Sequence, residues 1–173
     1  MVIFITGATH AGKTALAQKL LEAHHIPYLS LDHLKMGLIR SGYTTLTPTS
    51  TDAELTAYLW PIVREMVKTA IENEQSLIVE GCYIPFDYAE DFAPEYLAHI
   101  RFYALILSRG YIEKHFDDIV AFADVVEKRL DKTVSREALI GENEQLLTLA
   151  KKNAVNYILI EEEYKLPPIL QDQ

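Results

Sequence analysis

The feature that most constrains this chain is a glycine-rich octet near its N-terminus that matches the phosphate-binding pattern G-x-x-x-x-G-K-S/T. The octet consists of Gly7, Ala8, Thr9, His10, Ala11, Gly12, Lys13 and Thr14. An apolar, β-branched and aromatic run, residues 2–5, precedes it, and a run of strong helix formers, residues 15–21, follows it. Strand, glycine loop and helix in this order form the context in which the pattern indicates a phosphate site, the P-loop.

The fixed positions of the loop each have a physical task. Gly7 and Gly12 adopt backbone angles that residues with a Cβ resist, so the loop N–H groups can converge on an anion. The following helix adds unpaired N–H groups and the positive end of its dipole. Lys13 supplies a charge at the β- and γ-phosphates, and Thr14 supplies a hydroxyl for Mg²⁺. The loop therefore predicts binding of a nucleoside triphosphate, with His10 as a filler beside the phosphates.

The composition is that of one globular domain. The chain has 173 residues, of which 49% are hydrophobic and 24% charged, and no apolar run approaches the ~20 residues that span a bilayer. The net charge of −9 disfavours nucleic acid as the main partner, because a nucleic-acid backbone requires a basic face. A single cysteine, Cys82, forms no internal disulfide and fits a reducing cytoplasm. The first residues lack a basic leader, which indicates a core strand instead of a signal peptide.

Apolar strands alternate with helical segments along the chain. We expect strands at residues 2–5, 28–31, 76–79, 101–107 and 157–160, and helices at residues 15–21, 33–40, 52–73 and 137–152. Asp52 is the expected N-cap of the third helix, and Pro61 is expected to bend that helix or end a turn. Five continuous apolar strands separated by helices predict an α/β fold whose parallel sheet is covered on both faces.

The carboxyl ends of parallel strands share one edge of the sheet, and ligands bind there. Gly7, Asp32, Glu80 and Ser108 each lie at the end of an expected strand, so four distant segments converge on one cleft. Asp32 is expected beside the γ-phosphate, where a carboxylate can accept the proton of a substrate hydroxyl. An Asp before a helix is also a good N-cap, and the two roles are compatible.

Other side chains near this cleft supply further candidate contacts. Glu80 is placed to hold a Mg²⁺-bound water or a substrate hydroxyl, and Gly81 lets backbone approach the acceptor closely. Arg40 lies two turns further along the helix after Asp32, and its planar fork suits a carboxylate or phosphate. We expect Lys35, in the same helix, to be a solvated surface charge.

The charged segment after the fourth strand, residues 109–137, has the profile of a small mobile lid. Closing such a lid excludes water, so that phosphate goes to the acceptor, and its cations offset charge in the transition state. Arg129 is our first candidate for this role and Arg136 the second, with Arg109 nearer the nucleotide. Each of them could also be a surface charge paired with a neighbouring acid.

Together these residues resemble the small P-loop kinases of the adenylate-kinase-like group, which includes nucleotide, shikimate and gluconate kinases. The shared features are the N-terminal P-loop, an Asp after the second strand, a Gly at the end of the third strand and a charged lid. Residues 78–81 with Pro85 after them are similar to the third-strand segment of 2-phosphoglycerate kinases. The resemblance implies a three-layer α/β/α fold with strand order 2-3-1-4-5, the use of ATP and Mg²⁺, and Asp32 near the acceptor.

At two positions the sequence differs from particular members of this group. Leu34 stands where shikimate-type enzymes have a second acid. Glu80-Gly81 is followed by residues 82–86 without the Arg that nucleoside monophosphate kinases carry there. Both departures disfavour the corresponding acceptors.

The combined prediction is an ATP- and Mg²⁺-dependent kinase that phosphorylates a hydroxyl of a small, anionic metabolite. The predicted catalytic residues are Lys13, Asp32 and Arg129. The predicted ligand contacts are residues 7–14 and Arg109 for the nucleotide, Thr14 and Glu80 for the metal, and Asp32, Arg40, Glu80 and Gly81 for the acceptor. Two alternatives stay open: a nucleotide-dependent regulator that acts through a protein partner, and a toxin-like kinase of a sugar nucleotide. We expect a cytoplasmic protein without a nucleic-acid or membrane partner.

Overall fold

The computed structural model describes residues 1–122 and 135–165, and a five-stranded sheet lies at its centre. The strands are β1 (Val2–Gly7), β2 (Tyr28–Ser30), β3 (Leu77–Glu80), β4 (Ile100–Leu107) and β5 (Tyr157–Ile160). Neighbouring strands are parallel, and their order is β2-β3-β1-β4-β5. This order confirms the expectation from the resemblance and places the strand that leads into the P-loop in the middle of the sheet.

Helices cover both faces of the sheet. Those in the described residues are α1 (Lys13–His24), α2 (Leu31–Arg40), α3 (Asp52–Glu72), α4 (Pro94–Leu97), α5 (Arg109–Ala121) and α6 (Arg136–Lys152), with a 3₁₀ turn at Tyr88–Asp91. Successive residues of a strand point to opposite faces, so β1 serves two cores. Phe4 packs in one core with Trp60 of α3, and Ile5 packs in the other with Leu16 of α1 and Ile112 of α5. The fold is therefore the expected three-layer α/β/α arrangement. None of the helices in residues 1–122 and 135–165 has the length and apolarity that a membrane crossing requires.

The register of the strands brings the predicted site residues to one edge. Glu80, at the end of β3, lies opposite Ser30 of β2 and opposite Ile5 of β1. Gly7, at the end of β1, lies opposite Leu105 of β4. Because α2 begins directly after Ser30, its first turn is next to Glu80 and to the P-loop.

Two boundaries near the site differ from the prediction by one residue. The expected second strand ends early, because Leu31 already has helical geometry and begins α2. Asp32 therefore lies in the first turn of α2, and Ser30 occupies the N-cap position that we considered for Asp32. The third strand extends one residue further and includes Glu80. The Glu80 carboxylate is consequently held by the sheet itself.

Helix α3 is capped by Thr51, not by Asp52. The Thr51 hydroxyl accepts a hydrogen bond from the Glu54 N–H, and the Glu54 carboxylate accepts one from the Thr51 N–H. This reciprocal pair is a capping box, which satisfies two N–H groups at once. The helix continues through Pro61 to Glu72 as one segment.

The predicted lid range, residues 109–137, begins with a helix that belongs to the core. Ile112 and Ile119 of α5 are buried in the same core as α1. At the other end of the range, Arg136 is the first residue of α6, and its guanidinium carbon lies 5.1 Å from the centre of the Phe116 ring. Arg129 lies outside the described residues.

Candidate active site

The P-loop connects β1 to α1 and leaves the start of this helix without a side-chain cap. Gly12 is the N-cap residue, with φ of 89° in the left-handed region that favours glycine. The Leu16 N–H donates to the Gly12 carbonyl oxygen at 2.9 Å, which leaves the earlier N–H groups without a helical i−4 partner. Such a helix start binds anions through its N–H groups and its dipole.

The ammonium group of Lys13 lies against the loop that precedes it. Lys13 Nζ donates hydrogen bonds to the carbonyl oxygens of Gly7, at 3.1 Å, and Ala8, at 2.8 Å. The residue is 6% exposed. The Lys13 side chain is therefore held beside the uncapped helix start, where its Nζ can contact an anion bound in the loop.

Thr14 and Glu80, the predicted metal ligands, are in direct contact. Thr14 Oγ1 donates a hydrogen bond to Glu80 Oε2 at 3.2 Å, and Glu80 is 2% exposed. Hydroxyl and carboxylate oxygens are the hard donors that Mg²⁺ prefers, and this ion also takes phosphate oxygens and water. The donor set fits Mg²⁺ held jointly with a bound nucleotide. No cluster of three His, Cys, Asp or Glu side chains that could hold a metal alone occurs in residues 1–122 and 135–165.

Lys35 connects the predicted acceptor residue Asp32 to Tyr83, so the prediction that Lys35 is solvated is wrong. Its Nζ donates to Asp32 Oδ1 at 2.6 Å and to the Tyr83 hydroxyl at 2.9 Å, and its side chain is 12% exposed. Burial lowers the pKa of Lys35, but hydrogen bonds to Asp32 and Tyr83 and their charges together raise that pKa above its ordinary value. Lys35 is therefore a cation at neutral pH that orients the Asp32 carboxylate. We refer to Asp32, Lys35 and Tyr83 as the polar cluster.

Short contacts connect the polar cluster to the P-loop. Tyr83 follows Cys82, whose Sγ donates to the Gly7 carbonyl oxygen at 3.7 Å. Gly81 packs against Leu31 at the start of α2, and a Cβ at Gly81 would lie 2.7 Å from the Leu31 Cβ. Packing thus requires glycine at this position independently of any acceptor. The polar cluster and the P-loop are parts of one rim at the carboxyl ends of β1, β2 and β3.

Two residues from the other half of the sheet also contact the P-loop. Glu142 of α6 accepts a hydrogen bond from the Thr9 N–H at 3.1 Å. Tyr164, which follows β5, donates its hydroxyl proton to the Ala11 carbonyl oxygen at 2.8 Å. The partners are 133 and 153 residues apart in the chain. No local sequence pattern indicates such contacts, and the sequence analysis missed both.

Arg40 and Arg109, two of the predicted arginines, lie away from the polar cluster. Arg40 is an exposed residue in the last turn of α2, about 12 Å along the helix axis from Asp32. Arg109 begins α5, is 57% exposed at its side chain and pairs with Glu144 of α6 at 2.8 Å. The structure therefore ties Arg109 to α6, and the ligand contacts of both arginines stay predictions.

Comparison with known proteins gives matches among solved structures. Deoxyadenosine kinase from M. mycoides aligns with a TM-score of 0.55 and 12% identity over 96% of this chain and 92% of that chain. A sugar kinase from Janibacter sp. HTCC2649 aligns with a TM-score of 0.50 and 16% identity over 92% of this chain and 84% of that chain. A chain of the Pnkp1/Rnl/Hen1 RNA repair complex aligns with a TM-score of 0.54 and 15% identity over 87% of this chain and 45% of that chain.

The chain has the fold of the small P-loop kinases. No protein-family model and no curated protein matches the sequence. At these identities the structural likeness concerns the fold alone. The activity has to be argued from the side chains at the carboxyl edge of the sheet.

Proposed function

We propose that this protein is an ATP- and Mg²⁺-dependent kinase that transfers the γ-phosphoryl group to a hydroxyl of a small, anionic metabolite. The observation that carries the proposal is the position of the polar cluster on the same rim as the P-loop. A phosphate site and an oriented carboxylate on one rim are the two parts that phosphoryl transfer to a hydroxyl requires. The kinase fold of the matching structures supports this class of reaction.

In this proposal the P-loop holds the nucleotide. The N–H groups of residues 7–14 and the Lys13 ammonium bind the phosphates, and Thr14 with Glu80 holds the Mg²⁺ ion. When bound, the ion neutralises charge on the phosphate oxygens during transfer. Glu80 is rigid in this role because it belongs to β3, which pairs with a strand on each side.

The Asp32 carboxylate accepts a hydrogen bond from the reacting hydroxyl of the metabolite. The hydroxyl oxygen forms a new bond to the γ-phosphorus, the bond from that phosphorus to the leaving ADP oxygen breaks, and the hydroxyl proton passes to Asp32. A carboxylate base of this kind contributes about 10²–10⁴ in rate. Lys35 holds the carboxylate in one orientation through its 2.6 Å contact with Oδ1.

In this proposal the acceptor is a small molecule that carries an anionic group. Lys35 places a positive charge directly beside Asp32, and Arg40 adds a second at the far end of α2. The first acceptor to test is 2-phosphoglycerate, on the resemblance of residues 78–81. A cytoplasmic setting fits both the ATP requirement and the single free cysteine.

A screen of a metabolite library with labelled ATP and Mg²⁺ tests the proposal. We expect label transfer to one metabolite or one small class. Asp32→Asn should keep its affinity for ATP and lose at least ~100-fold in transfer, the low end for removal of a general base. Asp87→Asn is the control, since Asp87 is exposed and lines the same surface cavity as Asn153 and Asn156, which precede β5 at the other end of the sheet.

Two results would contradict the proposal. Near-normal transfer by Asp32→Asn would leave Asp32 without a role in chemistry. ATP turnover that responds to a protein fraction, and to no metabolite, would favour the nucleotide-dependent regulator.

A further inference from the structure

Tyr164 makes a contact that the proposed reaction does not use. It follows β5 by four residues, in a segment without regular secondary structure, and crosses to the P-loop. Its hydroxyl donates to the carbonyl oxygen of Ala11 at 2.8 Å. A Cβ added at Gly12 would lie 2.0 Å from the Tyr164 hydroxyl oxygen, so the ring covers the Ala11–Gly12 peptide closely.

Because the Ala11–Gly12 peptide is planar, a hydrogen bond to its oxygen also fixes the direction of its N–H group. A trans peptide is planar, and its C=O and N–H bonds point in opposite directions. The Ala11 oxygen faces Tyr164, so the Gly12 N–H points away from Tyr164, to the opposite face of the loop. Gly12 is the N-cap of α1, and its φ of 89° belongs to a region that Gly enters freely. Without an anchor, this peptide can rotate about two soft torsions, one of which is the φ of a glycine.

The hydroxyl of Tyr164 is a persistent donor. Partial burial of its hydroxyl against the P-loop, with a smaller effect from Tyr111, raises the pKa of Tyr164 to about 12. The group is therefore protonated at neutral pH. A neutral donor can hold the Ala11 oxygen without adding charge beside a polyphosphate.

We propose that Tyr164 is a positioning residue for the P-loop: it holds the Ala11–Gly12 peptide in the orientation in which the Gly12 N–H contributes to binding a polyphosphate. The inference rests on the proposed nucleotide binding and deepens it. The segment after β5 thereby becomes part of the phosphate site, although it supplies no direct contact to the phosphate. The ligand class is a polyphosphate chain, whatever nucleoside it carries.

The test compares Tyr164→Phe with Tyr157→Phe in the full chain. The two side chains have similar exposure, 39% for Tyr164 and 38% for Tyr157, and Tyr157 is the first residue of β5, at the opposite end of the strand from Tyr164. Calorimetry measures Kd for two probes, MgATP and magnesium tripolyphosphate. Loss of one hydrogen bond from a pre-oriented loop should raise Kd about three- to tenfold for both probes in Tyr164→Phe. Tyr157→Phe should match the wild type.

The two probes separate this proposal from its alternatives. Equal Kd values in Tyr164→Phe and the wild type would overturn the positioning role. A loss for MgATP alone would also overturn it, because the ring would then contact the nucleoside. A wild type that binds neither probe would overturn the proposed function and the inference together. A wild type that binds both probes with no effect of Tyr164→Phe would overturn the inference alone.

A second measurement detects the contact of Tyr164 with this peptide without a ligand. The amide resonance of Gly12 in ¹⁵N-labelled protein should shift in Tyr164→Phe and stay in place in Tyr157→Phe. A merely structural role of Tyr164 would lower the stability and leave both Kd values unchanged. The stability is followed by the fluorescence of the single tryptophan, Trp60, which is 6% exposed. An unchanged Gly12 resonance would contradict the proposal.

Discussion

Replacing Lys35 with methionine tests whether the polar cluster orients Asp32. Lys35 Nζ lies 2.6 Å from Asp32 Oδ1 and 2.9 Å from the Tyr83 hydroxyl oxygen. Methionine keeps an unbranched apolar stem and removes the ammonium with both hydrogen bonds. Changes in stability and in phosphoryl transfer can then be assigned to those bonds.

The solvent exposure of Asp32 and Tyr83 determines how much stability Lys35→Met loses. The Asp32 side chain is 40% exposed, so water replaces the ammonium and the lost ion pair costs about 0.5–1 kcal/mol. Tyr83 is 6% exposed, and the loss of the hydrogen bond to its hydroxyl costs about 1 kcal/mol more. The sum, about 1.5–2 kcal/mol, corresponds to a fall in Tm of about 3–8 °C for a chain of this length.

The pKa of Lys35 gives the sign of the pH dependence. Burial opposes the charged form, yet the hydrogen bonds and charges of Asp32 and Tyr83 keep the folded-state pKa above 10.5. The stabilisation is therefore complete below pH 10.5 and is lost as the pH rises through the folded-state value. Urea unfolding followed by Trp60 fluorescence measures the difference in free energy of unfolding between the wild type and Lys35→Met. A difference that increases above pH 10.5 would contradict the reasoning.

Phosphoryl transfer should fall about tenfold in Lys35→Met, because the carboxylate of Asp32 is no longer held in place. The double variant with Asp32→Asn should be no slower than Asp32→Asn alone, since the two residues act as a unit. The assay is the transfer rate from labelled ATP to the acceptor that the metabolite screen identifies. Losses that multiply in the double variant would show that Lys35 acts independently of Asp32.

A matched control exists on α3. Lys68 pairs with Glu65, three residues earlier, at 3.1 Å, and its ammonium lies 5.9 Å from the centre of the Tyr96 ring. Like Lys35, Lys68 therefore pairs with an acidic residue three positions earlier and lies near a tyrosine, but it lies away from the P-loop. Lys68→Met should leave transfer unchanged. A comparable loss of transfer in Lys68→Met would mean that the effect of Lys35→Met is not local.

Three further predictions concern the P-loop and the core beside it. Gly12→Ala should abolish binding of ATP and of tripolyphosphate in calorimetry, since its Cβ would lie 2.0 Å from the Tyr164 hydroxyl oxygen at a φ that alanine resists; retained binding would contradict this. Partial burial raises the pKa of Tyr164 to about 12, so ultraviolet titration of Tyr164→Phe should show a smaller absorbance change at the alkaline end than the wild type; an equal change would contradict this. Asn143→Ala should cost about 1–3 kcal/mol in urea unfolding, because Asn143 is 1% exposed and its Oδ1 accepts from the Leu107 N–H at 2.8 Å; a loss within about 0.5 kcal/mol would argue against it.

The sheet could be predicted because its strands are buried on both faces. The sequence predicts β5 at its observed bounds, Tyr157–Ile160, and β1 within two residues of its end. Buried parallel strands are continuous apolar runs, which a single sequence displays directly. The residue at which a helix begins was harder to predict, because more than one neighbouring residue can serve as its N-cap. Thr51 and Glu54 have the spacing of a capping box, yet the neighbouring Asp52 is also a favoured cap residue.

The P-loop could be predicted as a site, but the residues that surround it only in part. Thr14 and Glu80, both predicted as metal ligands, are hydrogen-bonded to each other, because motif position and strand register fix both of them. Lys35 was missed because a lysine three residues after an acid is also typical of an exposed helix face, and its second partner, Tyr83, is 48 residues away. Only tertiary packing distinguishes these two situations.

The strand order explains why the two ends of the proposed site differ in chemistry. Strands β3 and β2 lie on one side of β1 and supply Glu80 and, through α2, the polar cluster. Strands β4 and β5 lie on the other side, and the segment after β5 supplies Tyr164. In the proposed reaction the γ-phosphate must face the carboxylates, so the acceptor binds on the β2 side of the P-loop. It follows that changes in the polar cluster should alter transfer at constant nucleotide affinity, whereas changes at Tyr164 should alter nucleotide affinity first. A variant on either side that produced the opposite pattern would mean that the triphosphate lies in the reverse direction.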